Sequence, residues 1–217
     1  MGRDKMDKQL IKGPLGQLEI AVNHIQDGAP YVLVCHPHPL YGGTMDNKVV
    51  TMTAKAYENL GCNSVRFNYR GVGESDGIYA KSIGEAEDAV AVANWIIENQ
   101  SPSKLYFAGF SFGAYIAAQA ASDIQTTGQI DVPHLLMIAP SVENSPFERV
   151  TPISLDTSII MGNADDVVSY DAVSQWAEVQ FQPLEMITME GAGHFFHGRL
   201  TELKQHIHEI FDGESLV

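Results

Sequence analysis

Positive charge is scarce in this sequence. Its 13 Lys and Arg stand against 27 Asp and Glu, a formal net charge of −14 over 217 residues. Such a surface repels phosphate backbones and anionic lipid, so no nucleic-acid or membrane partner is expected. Cysteine is nearly absent too. Cys35 closes one predicted strand and Cys62 opens the next. If those strands are parallel, the thiols lie at opposite ends, a strand length of ~17 Å apart, beyond the reach of a disulfide. Two buried thiols suit a reducing compartment.

Long apolar runs are also missing, so nothing in the chain reads as a membrane span. The opening MGRDKMDKQL has neither an apolar h-region nor a cleavage site, and Met6 stands where a myristoylation signal at Gly2 needs Ser or Thr. A soluble cytoplasmic protein is the expectation. With no repeat, low-complexity tract or Gly/Ser linker, 1–217 reads as a single domain large enough for one continuous core.

What is present is a repeated strand-then-helix rhythm. Leu18–His24 alternates partly and reads as an early edge strand. Tyr31–Cys35, wholly apolar between Pro30 and an HPHP loop, suits a buried parallel strand. Asn47–Leu60 places Val49, Met52, Ala56 and Leu60 on one helical face, stopped by Gly61. Ser64–Asn68 is the next strand, closed by the glycine-rich loop Arg70–Gly77. Ser82 and Glu85 form a capping box for a helix reaching Gln100, with Ile83, Ala86, Val90, Ala93 and Ile97 inward. Leu105–Phe110 is strand and Phe112–Ala121 helix. Leu135–Ile138, Ser158–Met161 and Glu185–Met189 are further strands, with helices at Tyr170–Val179 and Leu200–Phe211. This alternation predicts the α/β class, a mostly parallel sheet with helices on both faces. Ligands of such sheets gather beyond the carboxyl ends of the strands.

The motifs lie there. Gly109-Phe110-Ser111-Phe112-Gly113 follows a strand and opens a helix, the setting of a nucleophile elbow. The tight turn admits only small residues two positions either side of the serine, and the helix amino end favours developing negative charge. A serine hydroxyl needs a base. Downstream, Gly162-Asn163-Ala164-Asp165-Asp166 and Gly191-Ala192-Gly193-His194 each follow a strand directly, in the order serine, acid, histidine. His194, in a glycine-flanked loop, is the candidate base, with His197 its rival and a packing or capping residue otherwise. Asp165 is the candidate orienting acid, preferred to Asp166 because the loop is still turning over the strand ends at that point. His24, His134, His206 and His208 read as surface or core.

An oxyanion hole would draw one N–H from Phe112, next after the serine, and one from the loop His36-Pro37-His38-Pro39-Leu40-Tyr41. Prolines have no N–H. His38 and Leu40 are the leading candidates, with Tyr41 behind them. His36-x-His38 lacks a third ligand at recognisable spacing, so no metal is expected. Arg70-Gly71-Val72-Gly73-Glu74-Ser75 has neither phosphate-loop nor dinucleotide spacing and reads as a structural loop beside the site.

Together the HPHPLYGGTMDNKVV segment, the FNYRGVGESDG loop, the AGFSFGAY elbow and the GAGHFFHGRL end resemble a compact, lidless branch of the α/β-hydrolase superfamily related to dienelactone hydrolase. The resemblance covers nearly the whole chain. It implies a sheet of about eight strands and a Ser–Asp–His triad on Ser111, Asp165 and His194, with no cofactor. Dienelactone hydrolases proper carry cysteine at the elbow; serine stands here. The interval Ser141–Asp156, where many relatives insert a helical lid, is too short for more than a loop with one turn. The expectation is a carboxylesterase-like serine hydrolase of small acyl substrates acting through an acyl-Ser111 intermediate. A thioesterase, a small peptidase and a non-catalytic binding protein on the same fold are the alternatives.

Overall fold

In the computed structural model, which describes residues 7–182, 184–213 and 215–217, eight strands form one sheet in the order β1-β2-β4-β3-β5-β6-β7-β8. The strands are β1 (Asp7–Gly13), β2 (Gly16–Asn23), β3 (Tyr31–Cys35), β4 (Asn63–Phe67), β5 (Leu105–Phe110), β6 (Leu135–Ile138), β7 (Thr157–Gly162) and β8 (Glu185–Met189). β1 and β2 pair antiparallel, and β2 runs antiparallel to β4; every other pairing is parallel. The lipidation reading at Gly2 and Met6 lies outside the described residues.

β3 through β7 are buried at every position, because helices cover both faces. On one face Tyr31, Leu33 and Phe107 pack with residues of α2 (Ile83–Gln100), α3 (Phe112–Thr127) and α4 (Tyr170–Glu178). On the other, Val32, Val34 and Ala108 pack with α1 (Lys48–Asn59) and α5 (Leu200–Ile210). Cys35 and Cys62 are both buried free thiols. They sit at opposite ends of the β3–β4 pair, in which Tyr31 faces Asn63. Among the described residues no helix is long and apolar enough to cross a membrane.

Three sequence expectations are corrected. Leu18–His24 is not the edge: β1 lies outside it. Only Ile11 of β1 is buried, so this edge strand carries almost no hydrophobic signal. The inward face of α2 is also rotated. Ile83 is 52% exposed, while Glu85 and Asp88 are buried. Those acids are matched by donors: Glu85 accepts the N–H groups of Ser82 (2.8 Å) and Ala80 (2.7 Å), and Asp88 binds the Arg70 guanidinium, its Oδ1 2.7 Å from Nη2. Finally, α3 runs past Ala121 to Thr127 before Gly128 caps it in a left-handed conformation.

The interval between β6 and β7 holds one 3-10 turn, Phe147–Arg149, and no lid. β3 and β5 are neighbours, with Cys35 opposite Gly109. The chain leaves β3 toward β4 on one side and leaves β5 toward β6 on the other. Their carboxyl ends therefore diverge and open the crevice in which open α/β sheets bind ligands.

Candidate active site

Ser111 sits in that crevice at φ +57° and ψ −118°, a conformation few non-glycine residues adopt. Two glycines make the turn possible. A Cβ at Gly109 would overlap the carbonyl oxygen of Gly113, and one at Gly113 would overlap the carbonyl oxygens of Cys35 and His36. The Ser111 N–H is held by the carbonyl of Ile138 at 2.8 Å, so β6 fixes the turn from beneath.

The imidazole of His194 reaches the serine from the loop after β8. Its Nε2 lies 3.1 Å from Ser111 Oγ, and its Nδ1 lies 2.8 Å from Asp165 Oδ2. The other carboxylate oxygen, Asp165 Oδ1, accepts the N–H groups of Val167 and Val168, both at 2.8 Å. Burial works to raise the Asp165 pKa, but the hydrogen bonds from His194, Val168 and Val167 outweigh it and hold the carboxyl below its ordinary range. Asp166 is exposed. His197 is exposed as well, its ring 5.8 Å from that of Phe195. Serine, imidazole and carboxylate thus form one hydrogen-bonded chain across residues 111, 165 and 194.

A residue the sequence reading passed over holds the last two together. Asn163 Oδ1 accepts the Gly191 N–H at 2.7 Å, and its Nδ2 donates to Glu190 at 2.8 Å. Ala164 N–H adds a bond to the Ala192 carbonyl at 3.1 Å. The acid loop and the histidine loop are therefore strapped to each other. The signal was an amide directly after a strand, one residue past Gly162.

The loop after β3 is locked by its own histidines. His36 is wholly buried. Its Nδ1 donates to the Pro37 carbonyl (2.7 Å) and its Nε2 accepts the Tyr69 N–H (3.3 Å). Burial pushes its pKa down to about 3, so the ring is neutral. His38 Nδ1 accepts the Leu40 N–H at 3.2 Å, and its Nε2 faces the Tyr79 hydroxyl at 3.1 Å. This corrects the reading of Leu40 as an oxyanion donor: its N–H is already engaged, as is that of Tyr41, which donates to the His38 carbonyl at 3.1 Å. The His38 N–H has no acceptor among the described residues, and the Phe112 N–H stands at the first position of α3. Both ring nitrogens of each histidine are engaged. Among the described residues no group of three His, Cys, Asp or Glu side chains could hold a metal ion.

Above Ser111 lies a cleft of about 480 Å³. His38, Tyr41 and Phe112 contribute aromatic surface, Val167 and Val168 aliphatic surface, and Ser141, Asn144 and Ser145 polar groups. A larger cleft of about 680 Å³ lies at the amino ends of β7 and β8, beside Asp156 and Glu185 and away from the serine.

Comparison with known proteins places this geometry in company. Residues 51–183 match the alpha/beta hydrolase fold family. An alpha-beta serine hydrolase homologue from Coxiella burnetii is 42% identical over 93% of this chain and 95% of its own, with a TM-score of 0.85. A serine hydrolase without a lid from Xanthomonas campestris is 35% identical over 96% of this chain and 94% of its own, with a TM-score of 0.86. An uncharacterised protein of Rickettsia prowazekii is 32% identical, covering 94% of this chain and 88% of its own.

Proposed function

The chain belongs to the alpha/beta hydrolase fold family, and from that premise we propose that it is a serine hydrolase cleaving small acyl esters through an acyl-Ser111 intermediate. The observation that carries the reading is the unbroken chain Ser111 Oγ, His194, Asp165, with links of 3.1 and 2.8 Å.

His194 Nε2 takes the hydroxyl proton as Ser111 Oγ attacks the ester carbonyl. Asp165 keeps the imidazole in the tautomer with hydrogen on Nδ1 and stabilises its charged form. The carbonyl oxygen becomes an oxyanion facing the N–H groups of Phe112 and His38. Losing one such donor costs about 3 kcal/mol of transition-state stabilisation. The imidazolium returns its proton to the departing alkoxide, leaving acyl-Ser111 and the free alcohol. Water, deprotonated by His194, then cleaves the acyl bond and restores the serine.

Reaction with a fluorophosphonate probe tests this. Ser111 should be labelled, labelling should be lost in Ser111→Ala and His194→Ala, and EDTA should leave it unchanged. Ester turnover should fall by roughly 10⁶-fold in Ser111→Ala and about 10⁴-fold in Asp165→Asn. A folded protein that takes no label and turns over no ester retracts the proposal in favour of a binding role; turnover removed by EDTA retracts it in favour of a metal enzyme.

A further inference from the structure

The loop after β6 places two serines beside the nucleophile that the proposed chemistry does not use. Ser141 and Ser145 both line the cleft, and they are 6% and 8% exposed. The Ser141 N–H lies 3.4 Å from the Ser111 carbonyl, which sets the pair against the nucleophile's own peptide. Their hydroxyl oxygens are 2.8 Å apart. Each hydroxyl carries one hydrogen, and the bond between them uses one of the two. The second hydrogen finds no acceptor among the described residues, whichever serine donates. A buried pair with a spare donor at the wall of a cleft is suited to an acceptor that arrives with the ligand.

We propose that Ser141 and Ser145 recognise a hydrogen-bond-accepting oxygen on the substrate, outside the group that is cleaved. The substrates are then esters with an ether, hydroxyl or carbonyl oxygen close to the scissile bond, not plain alkyl esters. Val167, Val168 and Phe112, in the same cleft, cover the apolar remainder of a short chain. This rests on the serine hydrolase reading and adds the class of ester to it.

Isosteric probes separate the donor from shape. p-Nitrophenyl methoxyacetate and p-nitrophenyl butyrate differ by one oxygen for one methylene on the acyl side. 2-Methoxyethyl butyrate and n-butyl butyrate differ in the same way on the alcohol side. Each kcat/KM is divided by the rate of alkaline hydrolysis of the same ester, which removes intrinsic reactivity. In the unmodified protein one pair should favour the oxygen-bearing ester by roughly 3- to 10-fold, the worth of one neutral hydrogen bond. The pair that shows the preference tells which side of the ester meets the serines. In whichever of Ser141→Ala and Ser145→Ala removes the serine that carries the spare hydrogen, the ratio should fall to within about twofold of unity, a preference too small for a hydrogen bond. Normalised ratios near unity for both pairs in the unmodified protein overturn the inference, with no need for a variant to fold. So does a preference that survives in both variants. Failure to turn over all four esters, with Ser111 unlabelled by the fluorophosphonate, overturns the hydrolase reading and this one with it.

Discussion

His36 shows how one buried side chain shapes both the site and the pH range of the fold. Its neutral ring joins the β3 loop to Tyr69 and gives up both nitrogens to backbone groups. Protonation would require Nε2 to stop accepting from Tyr69, at a place where burial has already lowered the pKa from 6.5 to about 3. Above pH 6.5 the ring is neutral in folded and unfolded chains alike, and its titration contributes nothing to stability. As pH falls from 6.5 toward 3, the unfolded chain takes up a proton that the native chain refuses, so unfolding gains on the order of 5 kcal/mol. The low Asp165 pKa adds to this in the same direction. Its stabilisation is full above the unfolded carboxylate value and is lost as pH drops through the folded one. Urea midpoints measured between pH 7 and 4 should fall with acidification, and less steeply in His36→Asn. Equal slopes in the two proteins would remove His36 from this account.

At the scale of elements, the strap between the loops after β7 and β8 carries the proposed acid and base. Removing the Asn163 amide in Asn163→Ala leaves the Gly191 N–H and Glu190 without their partner and frees the His194 loop to shift. Misplacement of a reacting group by about 1 Å costs on the order of 100-fold in rate. The expected outcome is therefore a fall in kcat of roughly 10- to 100-fold with KM little changed, and a urea midpoint lowered by about 1–2 kcal/mol equivalent. An unaltered kcat would make the strap merely structural. Elements also show where the sequence was readable. Wholly apolar runs such as Tyr31–Cys35 and Leu105–Phe110 announce buried parallel strands, and glycines at 109 and 113 announce the elbow, because in both cases one physical demand dominates. β1 is hidden because an exposed edge strand needs no apolar alternation. The true face of α2 is hidden because two buried carboxylates, satisfied by Arg70 and by backbone N–H groups, occupy positions that a hydrophobic pattern assigns to solvent. Leu40 shows the same limit at the site. Residue type cannot reveal that its N–H is captured two residues back by the His38 ring; only the closed 3-10 turn does.

For the molecule as a whole, the missing lid leaves the cleft open above Ser111, rimmed by Tyr41 and Val167, which are 88% and 55% exposed. A long acyl chain extending past that rim keeps most of its surface in water and gains little of the about 0.8 kcal/mol that burying each methylene provides. Across a series of p-nitrophenyl esters, kcat/KM should peak at short chains and decline toward the long ones; a rise with chain length would show apolar cover that the structure does not display.

The groups of the proposed reaction rest on backbone of unequal support. Ser111 and the Phe112 and His38 amides follow β5 and β3, each gripped by a strand on either side, whereas His194 follows β8, which has a neighbour on one side only. A fluctuation that peeled β8 from β7 would carry the imidazole away while the serine kept its place. The proposed base would then be lost at the rim of the sheet while its centre still held.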